Sequence, residues 1–187
     1  CLKTGVAVCH AIKSSKICVA LNASDIAPAL IALDASIVLA SADGERTVKL
    51  TDFYCDDGIA HTVRRADELV TRIVVPPARG RMVYIKETAR KGNDFAYASI
   101  AVWADGQGED ATEVRIVLGS LTMRPVLLCQ AAKAIAQNGL TDEAILLAVA
   151  RVRDELGPLT NLYTPAAYKS RIARSLVGAA LRQLRMK

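Results

Sequence analysis

Aromatic residues are scarce in this sequence of 187 residues, where phenylalanine, tryptophan and tyrosine together make up 4%. The core is therefore expected to be aliphatic, and no stacking platform for single-stranded nucleic acid is available. The only histidines, His10 and His61, stand far apart, which argues against a histidine-rich metal site. The sequence also contains no catalytic triad, P-loop or zinc-hydrolase motif, so it lacks the sites of the enzymes that depend on them.

Long apolar runs are missing too, and the chain begins with Cys1 rather than methionine. Because no transmembrane segment and no signal peptide can be identified, we expect a cytoplasmic protein without a membrane span. The missing methionine indicates a fragment or a processed remainder. Five cysteines make an odd count, which argues against the disulfide framework of a secreted protein.

Apolar residues make up 52% of the chain, which excludes a disordered protein and leaves room for one good core or two small ones. The net charge is +5, but basic residues are mixed with acids except near the end of the chain. There they alternate with apolar positions, a pattern typical of the solvated face of a helix, and we expect no nucleic-acid partner. These basic residues are Lys169, Arg171, Arg174, Arg182, Arg185 and Lys187.

Three cysteines, Cys1, Cys9 and Cys18, form a C-x7-C-x8-C array at the start of the chain. Gly, Ser and Lys residues between them predict a surface loop that cannot bury the thiols. Metal or iron–sulfur ligation is the commonest reason for such a cluster in an intracellular protein, and a structural zinc site or inert thiols are the alternatives. Cys55 and Cys129 stand alone, and Cys129 is expected to be a small core residue of an apolar helix.

A first unit is predicted from the apolar pattern that follows the cysteines. Ser24 is a plausible N-cap for a short helix that runs to Leu33 and buries Ile26, Leu30 and Leu33. Strands over 36–41 and 46–50 flank an Asp-Gly turn, and an apolar strand over 69–75 ends at Pro76-Pro77. The prolines and the basic residues after them mark the best candidate boundary, between residues 78 and 79.

A second unit follows, and its fold class is α+β. Strands are predicted over 82–87, 95–103 and 113–118, after which the period of the apolar residues changes from two to about 3.6. Three helices are expected: from Pro125 to about Gln137, from a Thr141 cap to about Leu156, and from Thr164-Pro165 onward. The last helix carries an apolar stripe that can be buried only against a sheet or other helices. The stripe comprises Tyr168, Ile172, Leu176, Ala180 and Leu184, beside Ala173, Val177 and Leu181.

Residues 22–30 read N-A-S-D-I-A-P-A-L and, with 32–35, resemble the segment S-D-[LI]-x-P-x-L-x-A-L-x-A late in the FAD-binding domain of molybdenum hydroxylases. Further matching stretches follow in the right order, at 42–48, 67–76, 84–86, 93–96 and 164–169. From Val19 on, the chain is similar to the flavin subunits of xanthine dehydrogenase and carbon monoxide dehydrogenase.

The resemblance implies two domains. Residues 1–78 would be the C-terminal part of an FAD-binding domain that carries the cysteine loop of residues 1–18. Residues 79–187 would be a domain like the C-terminal domain of CO dehydrogenase flavoproteins, with a three-stranded antiparallel sheet and three helices.

The cysteine array resembles an inserted loop in the flavin subunits of 4-hydroxybenzoyl-CoA reductases, which binds an additional [4Fe-4S] cluster. The resemblance implies that Cys1, Cys9 and Cys18 are three of its ligands and that the fourth lies upstream. For the flavin it implies three contacts. Asp25 would hydrogen-bond FAD, Val70 would contact the isoalloxazine edge through its backbone, and Lys86 would place its charge near the ring. The alternatives are a second helix cap for Asp25 and an outward-facing strand lysine for Lys86.

The implied function is that of an electron-transfer subunit, and no residue is expected to be catalytic. Its partners would be a large subunit with a molybdenum cofactor, a small subunit with [2Fe-2S] clusters, and ferredoxin as electron donor. The complex would remove a phenolic hydroxyl reductively to give benzoyl-CoA. One alternative is an ordinary hydroxylase subunit that passes electrons from FAD to NAD or quinone. The other alternative is a non-enzymatic interaction module that binds zinc or an iron–sulfur cluster.

Overall fold

The computed structural model describes residues 1–77, 79–158 and 164–187. After the cysteine loop, its elements are α1 (Ala27–Ala32), β1 (Ser36–Ser41), β2 (Gly44–Lys49), α2 (Leu50–Phe53), β3 (Leu69–Val74), β4 (Arg81–Thr88), β5 (Ala96–Ala104), β6 (Val114–Gly119), β7 (Val126–Leu127), α3 (Cys129–Asn138), α4 (Asp142–Glu155) and α5 (Ala166–Arg185). No helix among these described elements is long and apolar enough to cross a membrane.

The strands form two antiparallel sheets, with orders β2-β1-β3 and β4-β5-β6-β7. Helix α5 packs on β4 and β5, and α3 packs on β6, so the helices cover one face of the second sheet. Ile100, Ile116 and Leu118 point into this main core together with Leu181 and Leu184 of α5. The predicted α+β class is confirmed, as is the stop of strand β3 before Pro76.

The opposite face of the second sheet is covered by the first unit. Ala101, Trp103 and Val117 of the sheet form one apolar cluster with Ile31 of α1 and Leu39 of β1. Side chains from both sides of the predicted boundary therefore share a core. Burial of this aliphatic surface fixes α1, and the segment that leads into it, against β5 and β6.

The prediction for α1 was wrong in its start and for Ile26, whereas Leu30 and Leu33 are half-buried against the apolar cluster as expected. The helix begins at Ala27, and the Ser24 hydroxyl accepts a hydrogen bond from the Ala27 amide at 3.2 Å. Ile26 is 64% exposed, whereas Ala27, Pro28, Ile31 and Ala32 are buried. Because α1 lies flat on β5 and β6, its small residues turn toward the sheet and the larger Ile26 turns away from it.

The prediction of a helix beginning at Pro125 was also wrong. Val126 and Leu127 instead add a short fourth strand to the second sheet, paired with β6, and α3 begins at Cys129. Proline is compatible with an edge strand because such a strand leaves one row of amides unpaired. Cys129 is exposed in the first turn of α3, so it is not the core residue expected from the sequence.

Lys169 was expected on a solvated face, yet it is only 1% exposed. It lies four residues before Ala173 and seven before Leu176, so helical geometry turns it toward the buried stripe of α5. Burial lowers the pKa of its ammonium group. Tyr168, which the apolar pattern placed in the stripe, is 39% exposed instead.

Glu68, just before β3, is a buried acid whose carboxylate accepts several hydrogen bonds. Its side chain is 1% exposed and accepts two hydrogen bonds from Arg46, Nε to Oε1 at 2.6 Å and Nη2 to Oε2 at 2.9 Å. The Arg65 amide donates a third, to Oε2 at 2.7 Å. The hydrogen bonds from Arg46, reinforced by the Arg65 amide, lower the pKa of Glu68 from 4.5 to about 2. The ion pair therefore ties β2 to the segment that enters β3.

We expect Glu68→Gln to lower the melting temperature at pH 7 by several degrees, because it removes the charge that Arg46 and the Arg65 amide stabilise. Since the folded-state pKa is depressed, this stabilisation is fully present above pH 4.5 and is lost as the pH falls toward 2. The difference between wild type and variant should therefore shrink over that range in thermal melts. Glu45→Gln, which breaks the exposed pair between Glu45 and Arg72, is the control and should have a smaller effect. An equal effect of the two variants at pH 7 would contradict this account.

Candidate functional site

The three cysteines of the array line one pocket of about 410 Å³. Cys9 and Cys18 are 6% and 8% exposed, and Cys1 is exposed. The expectation that the loop could not bury its thiols was therefore wrong for two of the three cysteines. Apart from Lys3 and His10, the other lining residues are apolar: Leu2, Ala11, Val19, Ala20 and Leu21.

Local hydrogen bonds set the electrostatics of Cys9. The Ile12 amide points at its sulfur, with N and Sγ 3.4 Å apart. This bond lowers the pKa of the Cys9 thiol against the opposing effect of burial, and the backbone at Ala11 and Val19 adds to the lowering. A thiolate is the form of cysteine that binds metals. The loop thus favours the ligating state of Cys9.

The segment around Gly58 holds Cys18 in place. The Gly58 amide donates to the Cys18 carbonyl at 2.7 Å, and a Cβ built on Gly58 would lie 2.7 Å from Cys18 Sγ. Only glycine lets the two chains approach so closely. The Asp56 carboxylate binds Arg124 at 2.9 Å and fastens the same segment to the turn before β7. The role of this stretch in positioning the cysteine loop was not predicted from the sequence.

No three metal-ligating side chains within residues 1–77, 79–158 and 164–187 lie close enough together to hold a metal ion. The chemistry of the donor set nevertheless fits a thiolate-bound cluster, because three thiols face one pocket and Cys9 is disposed to ionise. Cys55 is half-buried and Cys129 exposed, and neither lines this pocket.

Asp25 and Lys86 meet across the fold. Asp25 lies just before α1 and Lys86 on β4, and Lys86 Nζ lies 2.7 Å from Asp25 Oδ2. The side chain of Lys86 is 23% exposed and that of Asp25 is 50% exposed, so the pair is open to solvent on the Asp25 side. It is Ser24, not Asp25, that accepts a hydrogen bond from the first amide of α1, which argues against the helix-cap alternative for Asp25. Tyr84 is close to the pair, and its pKa is raised mainly by partial burial, with the Asp25 charge adding to the shift.

Val70 lies on β3, opposite Leu39 of β1, and is 47% exposed. Within the described strands, β3 is an edge of the first sheet, so one row of its backbone groups has no partner strand. Such a row can hydrogen-bond a ligand through the main chain. The structure therefore brings Asp25 and Lys86 together but not Val70, which lies on the first sheet whereas Lys86 lies on the second. The exposed backbone edge at Val70 is suited to the main-chain contact with a ligand that was predicted for it.

Two family models match the chain. Residues 15–78 match the FAD binding domain in molybdopterin dehydrogenase, and residues 83–184 match the CO dehydrogenase flavoprotein C-terminal domain. The second match alone covers more than half of the chain. The cysteines Cys1 and Cys9 lie outside both matched ranges.

Named relatives agree with these matches. The glyceraldehyde dehydrogenase medium chain of Sulfolobus acidocaldarius is 28% identical over 149 residues, which are 80% of this chain and 52% of that protein. The carbon monoxide dehydrogenase medium chain of Afipia carboxidovorans is 27% identical over 144 residues, 76% of this chain and 49% of that protein. The chain thus spans about half the length of these relatives.

Solved structures show the same fold. Carbon monoxide dehydrogenase from Hydrogenophaga pseudoflava superposes with a TM-score of 0.77 and 27% identity, over 84% of this chain and 55% of that one. Quinoline 2-oxidoreductase from Pseudomonas putida 86 superposes with a TM-score of 0.78 at 20% identity, over 88% of this chain and 56% of that one, and supports the fold alone.

Proposed function

Since the chain belongs to the CO dehydrogenase flavoprotein C-terminal domain family, we propose that it serves as the FAD-carrying medium chain of a molybdenum hydroxylase-type oxidoreductase. The observation that carries the proposal is the Asp25–Lys86 pair, which joins the first part of the FAD-domain match, residues 15–78, to the start of the C-terminal domain match, residues 83–184. Bound FAD would supply the electron-transfer chemistry, and the protein would supply binding and electrostatics.

In this proposal Asp25 is a hydrogen-bond acceptor for the cofactor. Its Oδ2 is occupied by Lys86, and its Oδ1 accepts no hydrogen bond from the part of the chain that the structure describes. Lys86, held in place by Asp25 at 2.7 Å, is a fixed positive charge that stabilises negative charge beside it. Val70 would contribute backbone groups from the open edge of β3.

The proposal extends to a [4Fe-4S] cluster held by Cys1, Cys9 and Cys18, with a fourth ligand from outside these three. Its support is the shared pocket of the three thiols and the lowered pKa of Cys9. Cys18 precedes Asp25 by seven residues, so the cluster pocket and the flavin contact lie on one short segment. A metal cluster beside a flavin suits transfer of single electrons between them.

The combination of cluster loop and flavin chain favours a role in a 4-hydroxybenzoyl-CoA reductase. Its partners would be a large subunit with the molybdenum cofactor and a small subunit with [2Fe-2S] clusters, and reduced ferredoxin would be the donor. The names of the two curated relatives, both dehydrogenase medium chains, favour a second candidate in which electrons leave through FAD to NAD or quinone.

Activity of the complex purified without oxygen separates the two candidates. A low-potential donor such as reduced viologen should drive dehydroxylation of 4-hydroxybenzoyl-CoA if the first is correct. Reduction of NAD or quinone that depends on an oxidisable substrate, without viologen-driven dehydroxylation, would overturn the reductase role and support the second. Loss of both activities in a complex that contains no flavin would contradict the medium-chain proposal itself.

Lys86→Met is expected to weaken FAD binding at least about tenfold, which corresponds to about 1.4 kcal/mol. Methionine keeps the length of the side chain but removes the charge that Asp25 holds in place. The measurement is the dissociation constant of FAD for the purified complex, followed by flavin fluorescence. Lys49→Met is the matched control, because Lys49 forms a pair of the same 2.7 Å length with Asp34. If the two variants bind FAD equally well, the assignment of Lys86 is wrong.

A further inference from the structure

A groove between α4 and α5 lies outside the candidate cofactor site. Its volume is about 370 Å³. Leu146 and Val149 of α4 form its apolar side, and Leu146 is 63% exposed. Arg171, Arg174 and Arg182 of α5 line the other side. The groove thus combines exposed apolar surface with three guanidinium groups.

In the part of the chain that the structure describes, the three arginines have no acidic partner. None of them forms a salt bridge within residues 1–77, 79–158 and 164–187. The sequence over 164–187 contains six lysines and arginines and no aspartate or glutamate. Two acids of α4 are already engaged, since Asp142 binds Arg185 at 3.0 Å and Glu155 accepts two amide hydrogen bonds at the start of α3. Among the described residues no acid lines the groove, so no lining carboxylate balances its three guanidinium groups.

Two of the three arginines have close neighbours on α5. The guanidinium of Arg171 lies over the Tyr168 ring, 5.4 Å from its centroid. Arg182 lies over Gly178, because a Cβ built there would be 3.3 Å from Arg182 Nη1 and 3.4 Å from Val149 Cγ2. Less side-chain entropy is lost when an anion binds arginines that are already positioned.

The spacing of the arginines indicates what kind of anionic ligand fits the groove. They share one face of α5, and the axial distance from Arg171 to Arg182 is about 16 Å at 1.5 Å per residue. That length exceeds a single phosphate group and suits several carboxylates in a row. A membrane surface is disfavoured because the apolar face of α5 is buried in the core, with Leu176, Val177 and Leu181 at 6% exposure or less.

We propose that the α4–α5 groove docks an acidic segment of a partner polypeptide, with its carboxylates on Arg171, Arg174 and Arg182 and its apolar residues against Leu146 and Val149. The inference is independent of the proposed cofactors, because none of these residues belongs to the candidate cofactor site. Guanidinium groups suit this role because they bind carboxylates in a bidentate manner.

The test uses the purified complex and a fluorescent peptide of about twelve residues, with glutamates spaced to face the three arginines and leucines between them. Fluorescence anisotropy should show saturable binding that weakens with added salt. The double variant Arg174→Glu/Arg182→Glu should weaken binding about tenfold or more. The matched control is Lys133→Glu/Arg151→Glu, two exposed basic residues of α3 and α4 that do not line the groove, which should change binding less than about twofold.

Four results would overturn the proposal. The first is no saturable binding of the peptide, and the second is an equal loss in both double variants, which would indicate only general attraction by a basic protein. The third is tighter binding to phosphatidylserine vesicles or to a single-stranded oligonucleotide than to the peptide. Competition by inorganic phosphate at the peptide's own concentration would also contradict it, because one phosphate cannot span the arginine row.

Discussion

Replacing Cys9 and Cys18 together with alanine is expected to remove the signal of the proposed [4Fe-4S] cluster completely from the reduced complex while FAD stays bound. Cluster assembly depends on thiolate ligands, and the double variant leaves Cys1 as the only cysteine of the pocket. Electron paramagnetic resonance separates this cluster from any [2Fe-2S] centres of partner subunits. Iron and acid-labile sulfide per complex should fall in parallel.

The double variant Cys55→Ala/Cys129→Ala is the control, since neither cysteine lines the pocket. It should keep its full iron content. Retained FAD in the Cys9/Cys18 variant distinguishes loss of the cluster from unfolding of the chain. An unchanged cluster signal in the Cys9/Cys18 variant would contradict the assignment of these ligands.

Leu181→Ala is expected to destabilise the protein by about 2–5 kcal/mol, because it opens a cavity in a core whose aliphatic side chains are closely packed. Leu181 is fully buried in α5 against the second sheet. The melting temperature should fall by roughly 5–20 °C. Leu146→Ala on α4 is the control, because Leu146 is 63% exposed, and its effect should stay within about 0.5 kcal/mol. Equal effects of the two leucine variants would mean that α5 does not pack on the sheet as described.

The regular parts of this fold could be predicted from the sequence because periodicity reports which side of an element is buried. The apolar stripe of α5 is confirmed apart from Tyr168, which is 39% exposed. The Thr141 cap of α4 is also confirmed, since the Thr141 hydroxyl accepts a hydrogen bond from the Ala144 amide at 3.2 Å. Lys169 shows that residue type alone does not predict whether a side chain is buried. Its position on the stripe predicts burial, whereas its charge predicts exposure, and here position prevails.

Contacts between distant segments were harder to predict. Asp25 and Lys86 are 61 residues apart in the chain, and neither propensity nor spacing indicates that they meet. Only the family resemblance suggested that both face one cofactor. The pair between Arg46 and Glu68 was missed for the same reason, since it crosses 22 residues.

The cysteine loop was predictable from the sequence in part. Its spacing predicted a ligand set, and the structure places all three thiols on one pocket. Burial of Cys18 was not predicted, because it involves Gly58, which comes from a segment 40 residues after Cys18. A glycine in a polar turn carries no sequence signal for such a close approach.

The most direct test of the account is the FAD content of the protein purified in its natural complex without oxygen. Acid extraction should release FAD in an amount equal to that of the chain, and the Lys86→Met variant should lose most of it on dilution, whereas Lys49→Met should not. A complex that contains no FAD would contradict the central claim that this chain carries the flavin.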